Sequence, residues 1–406
     1  MHSGVQIGPS SKVAENAPSC DLGSLFKWWL NPSRIFRTPN RKLQDKTPAV
    51  VVGSGAYSGD RTTEFVMMAM KKLLYFSYRS CFPPLPNGST TDTRWGCLLR
   101  TTQMLIGTCL LRYHCKGAYV LPEADNAELK ANISRLFMDV PSAPLGIHKA
   151  EDEAHKNCVK YASMLSPTEA GMAMAAALIA CHAEGGDVPF TFSCGNRNID
   201  EPAVVAKLLE GQHVILIIPV VLGLAPLSDK YECMMLKILD MKACCGIAGG
   251  FKQASFYMFG HQGRKVFFMD PHYIQKAYTS DKTVGTLYGA RGDLTARKFD
   301  PCMVLGFYLH TLEDYRVFAE ELTVVNSLVT FPLISWSRKS SKVTPPSDER
   351  AISLEGNAES ATAHGKEEEQ HGPNPFVTDA RHATGLNLSF SPEAVVAPWR
   401  RLSSPS

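Results

Sequence analysis

Cys97 is the first residue whose position suggests chemistry, because it follows Gly96 and begins a stretch of helical apolar spacing. That position places the thiol at a helix N-terminus, where free backbone N–H groups and the helix dipole favour the thiolate. The Cys97 amide could also face the oxyanion of a tetrahedral intermediate, and Gly96 would leave room for a substrate backbone. The segment predicts a cysteine nucleophile, with a buried structural cysteine at a helix start as the alternative.

An acid and an imidazole lie two residues apart in the segment Arg264–His272. If a strand runs to the end of this segment, alternation places Asp270 and His272 on one face. Pro271 between them suits the end or edge of a strand. A carboxylate there orients the imidazole and favours its charged form, while the other ring nitrogen takes a proton from a thiol. The spacing predicts an acid–base pair, with an exposed Asp-Pro-His turn as the alternative.

Helical patterns dominate the first part of the central region. Apolar spacing predicts a helix over Phe65–Tyr78 and a half-buried helix over residues 97 to about 112. The sequence Ser-Pro-Thr-Glu that starts at Ser166 is typical of a capped helix start and predicts a helix to about His182.

Strand patterns follow later in the chain. Runs rich in β-branched and aromatic residues predict strands at Val214–Val221, Phe256–Phe259, Lys265–Asp270 and Met303–Leu309. Thr311 then begins another helix. Helices that come early and strands that come late favour an α+β layer architecture over alternating βαβ units.

The composition is that of an ordinary globular protein. The 406 residues are 45% hydrophobic and 20% charged with a net charge of +3, which does not indicate a nucleic-acid binder. Residues 1–60 have no sustained periodicity and are predicted to be a flexible, mildly basic N-terminal arm. Residues 61–336 form the predicted folded domain. Residues 337–406 cannot bury enough apolar surface to order and are predicted to be a disordered C-terminal tail.

No feature of the sequence indicates a membrane span, a secretory signal or a metal site. The apolar runs are shorter than the roughly 20 residues that a spanning helix needs, and the N-terminus lacks the pattern of a signal peptide. We therefore expect a cytoplasmic protein whose 12 cysteines are thiols. Because no Cys-x-x-Cys occurs, structural zinc is not expected, and no cofactor is predicted.

Taken together and in this order, these segments resemble the Atg4 family of cysteine proteases, the autophagins. The family nucleophile lies in a Trp-Gly-Cys-x-x-Arg stretch, matched by Trp95–Arg100. The family acid and base lie in an Asp-Pro-His stretch ending in Gln, matched by Asp270–His272 and Gln275. The likeness covers roughly residues 62–325. Further matches are Phe76–Arg79, Asp139–Pro144, Gly146–His148, Ile218–Pro219, Gly246–Gly250, Asp300–Pro301 and Gly306–Tyr308.

The resemblance implies a papain-like cysteine protease fold, in which a helical part around the nucleophile packs on a mainly antiparallel sheet. It implies that Cys97 is the nucleophile, His272 the general base and Asp270 the orienting acid. It also matches Tyr78 to a family tyrosine that helps to form the oxyanion hole beside the Cys97 amide. A core tyrosine that serves packing is the alternative for Tyr78.

The resemblance further implies a substrate. Family members cleave Atg8-like ubiquitin-fold proteins after a C-terminal glycine, and some release the same proteins from phosphatidylethanolamine. We therefore expect precursor processing, lipid release or both, in autophagy, by a monomer that contacts membranes at most peripherally and binds no nucleic acid. The alternatives are a papain-like isopeptidase of another ubiquitin-like modifier and a non-cleaving Atg8-binding protein.

The chain departs from the family pattern around the site. Met164 occupies the position where many members carry a lid Trp, and Lys252 follows Phe251 in the second lid loop, where a Pro is usual after Gly-Gly-Lys. Arg94 replaces the usual Gly before the Trp-Gly-Cys stretch. These departures leave the gating of the site open. Phe331–Ile334 fits a short Atg8-binding pattern, but a closing strand of the core is the preferred interpretation.

Overall fold

The structure is a computed structural model that describes residues 43–116, 127–251, 254–280 and 291–337. These residues contain eight α-helices and thirteen strands. The helices are α1 (Thr62–Lys72), α2 (Cys97–His114), α3 (Ala127–Arg135), α4 (Ile147–Lys156), α5 (Pro167–Ala183), α6 (Glu201–Leu209), α7 (Asp229–Asp240) and α8 (Leu312–Asn326). The strands are β1 (Ala49–Val51), β2 (Gly55–Tyr57), β3 (Arg79–Ser80), β4 (Phe190–Ser193), β5 (Asn198–Asp200), β6 (Val214–Val221), β7 (Cys244–Phe251), β8 (Ala254–Gln262), β9 (Lys265–Met269), β10 (Gln275–Lys276), β11 (Arg291–Thr295), β12 (Cys302–Leu309) and β13 (Ser335–Ser337).

One large sheet organises these elements. Its strands lie in the order β11-β9-β8-β7-β12-β6-β4, while β1 pairs with β8 and β2 pairs with β1. Within the described residues its pairs are antiparallel, except that β4 runs parallel to β6. Two short parallel pairs, β3 with β10 and β5 with β13, lie outside this sheet. The predicted α+β architecture with a mainly antiparallel sheet is confirmed.

Strand β6 has the bounds that its unbroken apolar sequence predicts, and its residues from 214 to 220 are buried. It pairs with β12 along its whole length, whereas β4 reaches only as far as Ile217. Pro219 therefore lies where one side of β6 is an open edge. That is the place in a sheet that tolerates a residue without a backbone N–H.

Helix α2 is buried at every residue from Cys97 to Arg112. It packs against strands β7, β8 and β12 and also against helices α3 and α5. The prediction of a half-buried helix is therefore wrong, because other helices cover the side that its polar residues suggested would face water. The hydroxyls of Thr102 and Thr108 are satisfied inside the helix, donating to the carbonyls of Leu98 and Met104.

The first predicted helix ends early. Its sequence predicts a helix to Tyr78, but α1 stops at Lys72 and Leu73 is extended, with ψ of 160°. Tertiary contacts override local propensity here, since the chain must continue to β3, which pairs with β10. The helix starts at Ser166 and Thr311 are confirmed, and both residues form complete capping boxes.

Strands β1 and β2 lie within the first 60 residues, the segment assigned to the flexible arm. Residues 49–51 pair with the last residues of β8, and Val51 is fully buried. A short run of Ala and Val is enough to extend the sheet here, because it pairs with β8, which is itself part of the large sheet. This part of the arm therefore belongs to the sheet. Residues 1–42 and 338–406 lie outside the described residues, and the domain boundaries stay predictions.

Gly306 permits close packing between the sheet and α2. A Cβ added at this position of β12 would lie 2.8 Å from Cγ of Leu105. We expect Gly306→Ala to lower the free energy of unfolding by about 1–3 kcal/mol, the usual cost of overpacking a core. The measurement is urea unfolding followed by circular dichroism.

Leu105→Ala provides the matched test of this contact. Because it empties the space that the new methyl group needs, the double variant should be more stable than the sum of the two single changes predicts. Strictly additive losses would contradict the proposed steric contact.

Candidate active site

Cys97 is the first residue of helix α2, and 3% of its surface is exposed. The His272 side chain, the Ser255 backbone and the Tyr78 side chain are close enough to the thiol to stabilise its ionised form. The structure thus brings the thiol of the predicted nucleophile against the predicted imidazole, although 175 positions separate them in the chain.

His272 is held by Asp270. Oδ1 of Asp270 accepts hydrogen bonds from the ring Nδ1 of His272 at 2.5 Å and from its backbone N–H at 2.9 Å. The Tyr75 hydroxyl donates to the Asp270 carbonyl at 2.7 Å. Because Nδ1 faces the carboxylate, Nε2 is the ring nitrogen left for the thiol.

The route to this contact differs from the strand alternation expected from sequence. Strand β9 ends at Met269, so Asp270 and His272 lie beyond it. Their proximity comes instead from a turn at Pro271, in which the Asp270 carboxylate binds the main chain two residues on. The structure therefore brings the predicted acid and imidazole together, while the predicted strand geometry is wrong.

Tyr78 lies directly beside the imidazole. Its N–H donates to the Pro271 carbonyl at 2.9 Å, and its ring meets the His272 ring edge-on with 5.3 Å between centroids. The Phe256 ring packs on the same imidazole at 5.5 Å. Burial raises the pKa of the Tyr78 phenol, with the nearby Cys97 adding to the effect. The phenol therefore stays protonated and can donate a hydrogen bond.

The thiol and the imidazole shift each other's ionisation. Burial opposes the thiolate, but the hydrogen bond and charge of His272 outweigh it and lower the pKa of Cys97. Burial likewise opposes the imidazolium, yet Asp270 and Cys97 raise the pKa of His272 to about 9. Between the lowered pKa of Cys97 and pH 9, these opposite shifts favour a thiolate–imidazolium pair, the reactive form of a cysteine nucleophile.

A buried cluster of charges positions the Cys97 helix. Arg100, 1% exposed, donates from Nε to Asp92 at 2.5 Å and from Nη2 to Asp139 at 2.8 Å. Its Nη1 donates to Gln103 at 3.1 Å. Burial raises the pKa of Asp92, and Arg100 opposes that rise. The guanidinium of Arg100 is therefore the cation that hydrogen-bonds to both buried carboxylates, and Nε of Arg79 lies 3.9 Å from Asp139 as a second, more distant partner.

The same cluster joins three separate segments of the chain. Asp92 accepts the Arg79 N–H at 2.6 Å, immediately after Tyr78. Asp139 accepts the Tyr278 N–H at 2.8 Å, shortly after His272. Because Arg100 lies one turn into α2, the cluster fixes the helix of the thiol relative to the segments of Tyr78 and His272.

Two loop residues before the thiol have backbone positions that suit glycine. A Cβ on Gly96 would lie 2.6 Å from Cβ of Asp92. Glycine is therefore required here to admit the Asp92 side chain. Arg94 has φ of 81°, a left-handed conformation that glycine adopts without strain.

Ser255 is a site residue that the sequence did not reveal. Its backbone N–H is close enough to Cys97 to stabilise the thiolate, and its hydroxyl bonds to that of Thr101 at 2.7 Å. No motif could indicate this contact, because it is a backbone group at the start of β8 that only the sheet places against α2. The pairing of Thr101 with Ser255 anchors the strand to the helix one turn beyond the thiol.

The remaining candidate residues lie apart from this set. Met164 is 52% exposed on the loop between α4 and α5. Lys252, predicted to lie in a second lid loop, is outside the described residues. Phe331 is 83% exposed while Ile334 is fully buried. Burial of Ile334 disfavours a short binding motif, which needs both of its anchor side chains free. The predicted closing strand is wrong in its position, because the strand there is Ser335–Ser337, which pairs with β5 outside the large sheet.

The cysteines differ from expectation at one position. Ten cysteines of the described residues are free, whereas Cys81 is disulfide-bonded. The expectation that all twelve are thiols is therefore wrong at Cys81, because it rested on the cell compartment alone. In the described ranges, no group of three His, Cys, Asp or Glu side chains could hold a metal ion. No helix there has the length and apolar character to cross a membrane.

A buried thiol paired with an imidazole, on a helix that packs against an antiparallel sheet, defines the class of papain-like cysteine peptidases. Comparison with known proteins agrees. The chain matches the family model described as the peptidase C54 catalytic domain over residues 63–321. This match covers more than half of the chain, so the chain belongs to the peptidase C54 family and is a cysteine peptidase.

Its relatives carry the name Atg4. The chain is 29% identical over 251 residues to the probable cysteine protease atg4 of Schizosaccharomyces pombe, across 61% of this chain and 73% of that protein. It is 24% identical over 340 residues to the probable cysteine protease atg4 of Aspergillus niger, across 73% and 82%. It is 32% identical over 218 residues to the cysteine protease atg-4.2 of Caenorhabditis elegans, across 49% and 42%. This chain is thus an Atg4 family cysteine protease, a protease of autophagy.

Arg100→Met tests the buried cluster. The change leaves Asp92 in the interior without its hydrogen-bonded guanidinium and leaves Asp139 with the longer contact of 3.9 Å to Nε of Arg79. We therefore expect the free energy of unfolding to fall by about 3–5 kcal/mol. Denaturant unfolding measures this loss. Adding Asp92→Asn and Asp139→Asn removes the stranded charges and should recover part of it. A loss below about 1 kcal/mol for Arg100→Met would contradict the central role of the guanidinium.

The paired ionisation predicts a pH profile. Because the pKa of Cys97 is lowered and that of His272 is raised to about 9, the ion pair forms as pH rises through the thiol pKa and is lost above pH 9. Asp270→Asn removes the charge that supports the imidazolium. In this variant, we expect the rise in the rate of Cys97 alkylation by iodoacetamide to occur at higher pH than in the unchanged protein. The fall of kcat/KM at alkaline pH should begin below pH 9.

The control for this profile is Cys97→Ala. Its alkylation rate reports the exposed thiols, such as Cys158 and Cys302, and is subtracted from the rate of the unchanged protein. An alkylation profile of Asp270→Asn that superimposes on that of the unchanged protein would show that the carboxylate does not support the imidazolium.

Proposed function

We propose that this protease cleaves Atg8-like ubiquitin-fold proteins after a C-terminal glycine. The observation that carries the proposal is the placement of the Cys97 thiol beside His272, whose ring is hydrogen-bonded to Asp270. The match to the peptidase C54 catalytic domain and to relatives named Atg4 cysteine protease supports it. In this scheme Cys97 is the nucleophile, His272 is the general base and acid, and Asp270 orients the ring.

The reaction takes two steps. The thiolate of Cys97 attacks the glycine carbonyl carbon, the C–N bond breaks, and the imidazolium of His272 gives its proton to the leaving amine. The neutral imidazole then takes a proton from water, whose oxygen attacks the thioester carbon. The C–S bond breaks, the glycine carboxylic acid leaves and gives its proton to the solvent, and the thiolate–imidazolium pair is restored.

The negative charge that forms on the carbonyl oxygen needs donors. The N–H of Cys97 belongs to the first turn of α2, where amides have no intrahelical acceptor. The phenol of Tyr78 stays protonated, reaches the thiol and is held through its own main chain against Pro271. We assign these two groups to the oxyanion hole.

The burial of the site explains a preference for glycine. The thiol is 3% exposed, and the His272 side chain is 10% exposed. A chain without Cβ atoms can reach such a thiol, whereas a larger residue meets the walls of the approach. Most of the recognition energy would then come from a broad contact with the folded body of the substrate.

The same chemistry serves two leaving groups. In a precursor the glycine is joined to the amine of the next residue, and in a lipid conjugate it is joined to the amine of phosphatidylethanolamine. Both are amides of the same carbonyl, so one site can hydrolyse either. The proposal includes a cytoplasmic monomer that meets membranes through its substrate.

Incubation with an Atg8-like precursor tests the proposal. We expect a single new C-terminus at the glycine, read by intact mass spectrometry. Cys97→Ala should reduce kcat by about a thousandfold or more, since the covalent step is lost, while the substrate still binds. Replacing the substrate glycine by valine should lower kcat/KM by roughly tenfold or more.

Two further arms separate the alternatives. Precursors of other ubiquitin-like modifiers test the isopeptidase alternative, and liposomes carrying the lipid conjugate test release from phosphatidylethanolamine. Cleavage away from glycine, or unchanged turnover in Cys97→Ala, would refute the proposal. Binding of the Atg8-like precursor without any cleavage would favour the non-cleaving binding protein.

A further inference from the structure

Glu151 is a buried carboxyl group outside the set of residues used by the proposed reaction. It lies on α4 and is 2% exposed. Its Oε2 accepts the backbone N–H of Ala162 at 2.7 Å. Within the described residues its Oε1 is buried without a hydrogen-bond partner. A half-satisfied buried carboxyl is costly, so its retention needs an explanation.

The group that Glu151 binds is the main chain of the loop between α4 and α5, residues 157–166. This loop reverses through Cys158 and Ala162, whose φ angles of 64° and 57° lie in the left-handed region. Backbone strain of this kind persists only where surrounding contacts hold it. The bond from Ala162 to Glu151 is one such contact.

The same loop packs against the segment that leads to the thiol. Nδ2 of Asn87 donates to the Tyr161 carbonyl at 3.0 Å. Asp92, whose side chain fills the space beside Gly96, is close enough to Glu151 to disfavour its ionisation. Loop 157–166 is therefore bound, through Asn87, to the chain segment that continues to Asp92 and Cys97.

The charges around Glu151 determine how it responds to pH. Burial raises its pKa to about 7, the Ala162 N–H opposes the rise, and Asp92 and Asp152 add to it. The other titratable groups nearby are Tyr161 on the loop, which interacts with Glu151, and His148 on the same helix. His155 of that helix also faces the loop: its Nδ1 lies 3.0 Å from the Val159 carbonyl and its ring stacks on that of Tyr161. The carboxyl group therefore changes charge near neutral pH.

The direction of the coupling follows from the net shift. Because the buried group has a higher pKa than the hydrated group, the protonated form favours the closed loop and the ionised form favours any state that hydrates it. Opening of the loop uncovers the carboxyl, since Ala162 lies directly on it. Opening should therefore become easier as pH rises through neutrality.

We propose that Glu151 is a positioning residue that keeps loop 157–166 closed while it is protonated and releases the loop when it ionises, thereby adjusting access of substrate to Cys97. The loop displays Met164, which is 52% exposed, between Ala162 and the buried Leu165. Its movement would thus change the surface that a substrate meets. Only the consequence for substrate access rests on the proposed function; the coupling of Glu151 to the loop does not.

Hydrogen exchange of the Ala162 amide tests the coupling directly. The measurement uses the full chain with Cys97→Ala, so that no catalysis intervenes, and divides each rate by the intrinsic rate at that pH. The protection factor should fall about tenfold between pH 6 and pH 8, the change expected for a carboxyl whose pKa drops from about 7 to 4.5 on opening. Glu151→Gln keeps an acceptor for Ala162 but cannot ionise, so its protection should not depend on pH.

Asp152→Asn is the matched control. It removes the charge of the neighbouring carboxylate, which accepts a hydrogen bond from the Tyr161 hydroxyl at 3.0 Å. The hydrogen bond from Ala162 to Glu151 stays intact. It should keep a pH-dependent protection factor. The proposal would be overturned if the Ala162 protection factor fell equally with pH in Glu151→Gln. It would also be overturned if that protection factor rose with pH in the chain that keeps Glu151.

A binding arm connects the coupling to substrate. The association rate of an Atg8-like precursor with the Cys97→Ala chain should rise between pH 6 and pH 8, and this rise should be lost in Glu151→Gln. If the Ala162 protection factor depends on pH but the association rate does not, Glu151 has no role in substrate access. If no Atg8-like protein binds but the exchange result holds, the proposed substrate fails and the role of Glu151 in positioning the loop stands.

Discussion

The buried guanidinium of Arg100 is the interaction on which the site depends. It neutralises Asp92 and Asp139 in the interior, and each carboxylate in turn accepts a main-chain N–H from another segment of the chain. Such a cluster has few alternative arrangements, because displacement of any member leaves a charge without a partner in a medium that solvates it poorly. The helix of the thiol, the segment of Tyr78 and the turn of His272 therefore keep one relative position.

The reactive pair uses the same physical constraint at a smaller scale. Burial alone would favour a neutral thiol and a neutral imidazole. Each group, when charged, stabilises the charged form of the other, and Asp270 further stabilises the imidazolium. The pKa of Cys97 is therefore lowered, and the pKa of His272 is raised to about 9. The exclusion of water that makes each charge costly also strengthens their mutual attraction. The result is a nucleophile that is protected from solvent and ready for a substrate that can reach it.

Some features of the site could be predicted from local sequence. Cys97 at a helix start, and Asp270 beside His272, follow from spacing over a few residues. The capping boxes at Ser166 and Thr311 and the bounds of β6 follow for the same reason, since each depends on neighbours in the chain. Predictions that needed distant contacts were less accurate. Helix α1 ended early because its continuation joins β3, and α2 is fully buried because helices α3 and α5 pack against it.

The sequence by itself determined the reactive groups, the order in which they occur and the family that they resemble. Only the tertiary structure decided how they meet. It showed that a turn at Pro271 rather than a strand joins Asp270 to His272, and that Gly96 makes room for Asp92. It also placed the Ser255 amide on the thiol and Glu151 beneath the loop of Ala162. The physical reason is that motifs record side-chain types over short spacings, whereas backbone donors and buried charges act through space between segments far apart in the chain.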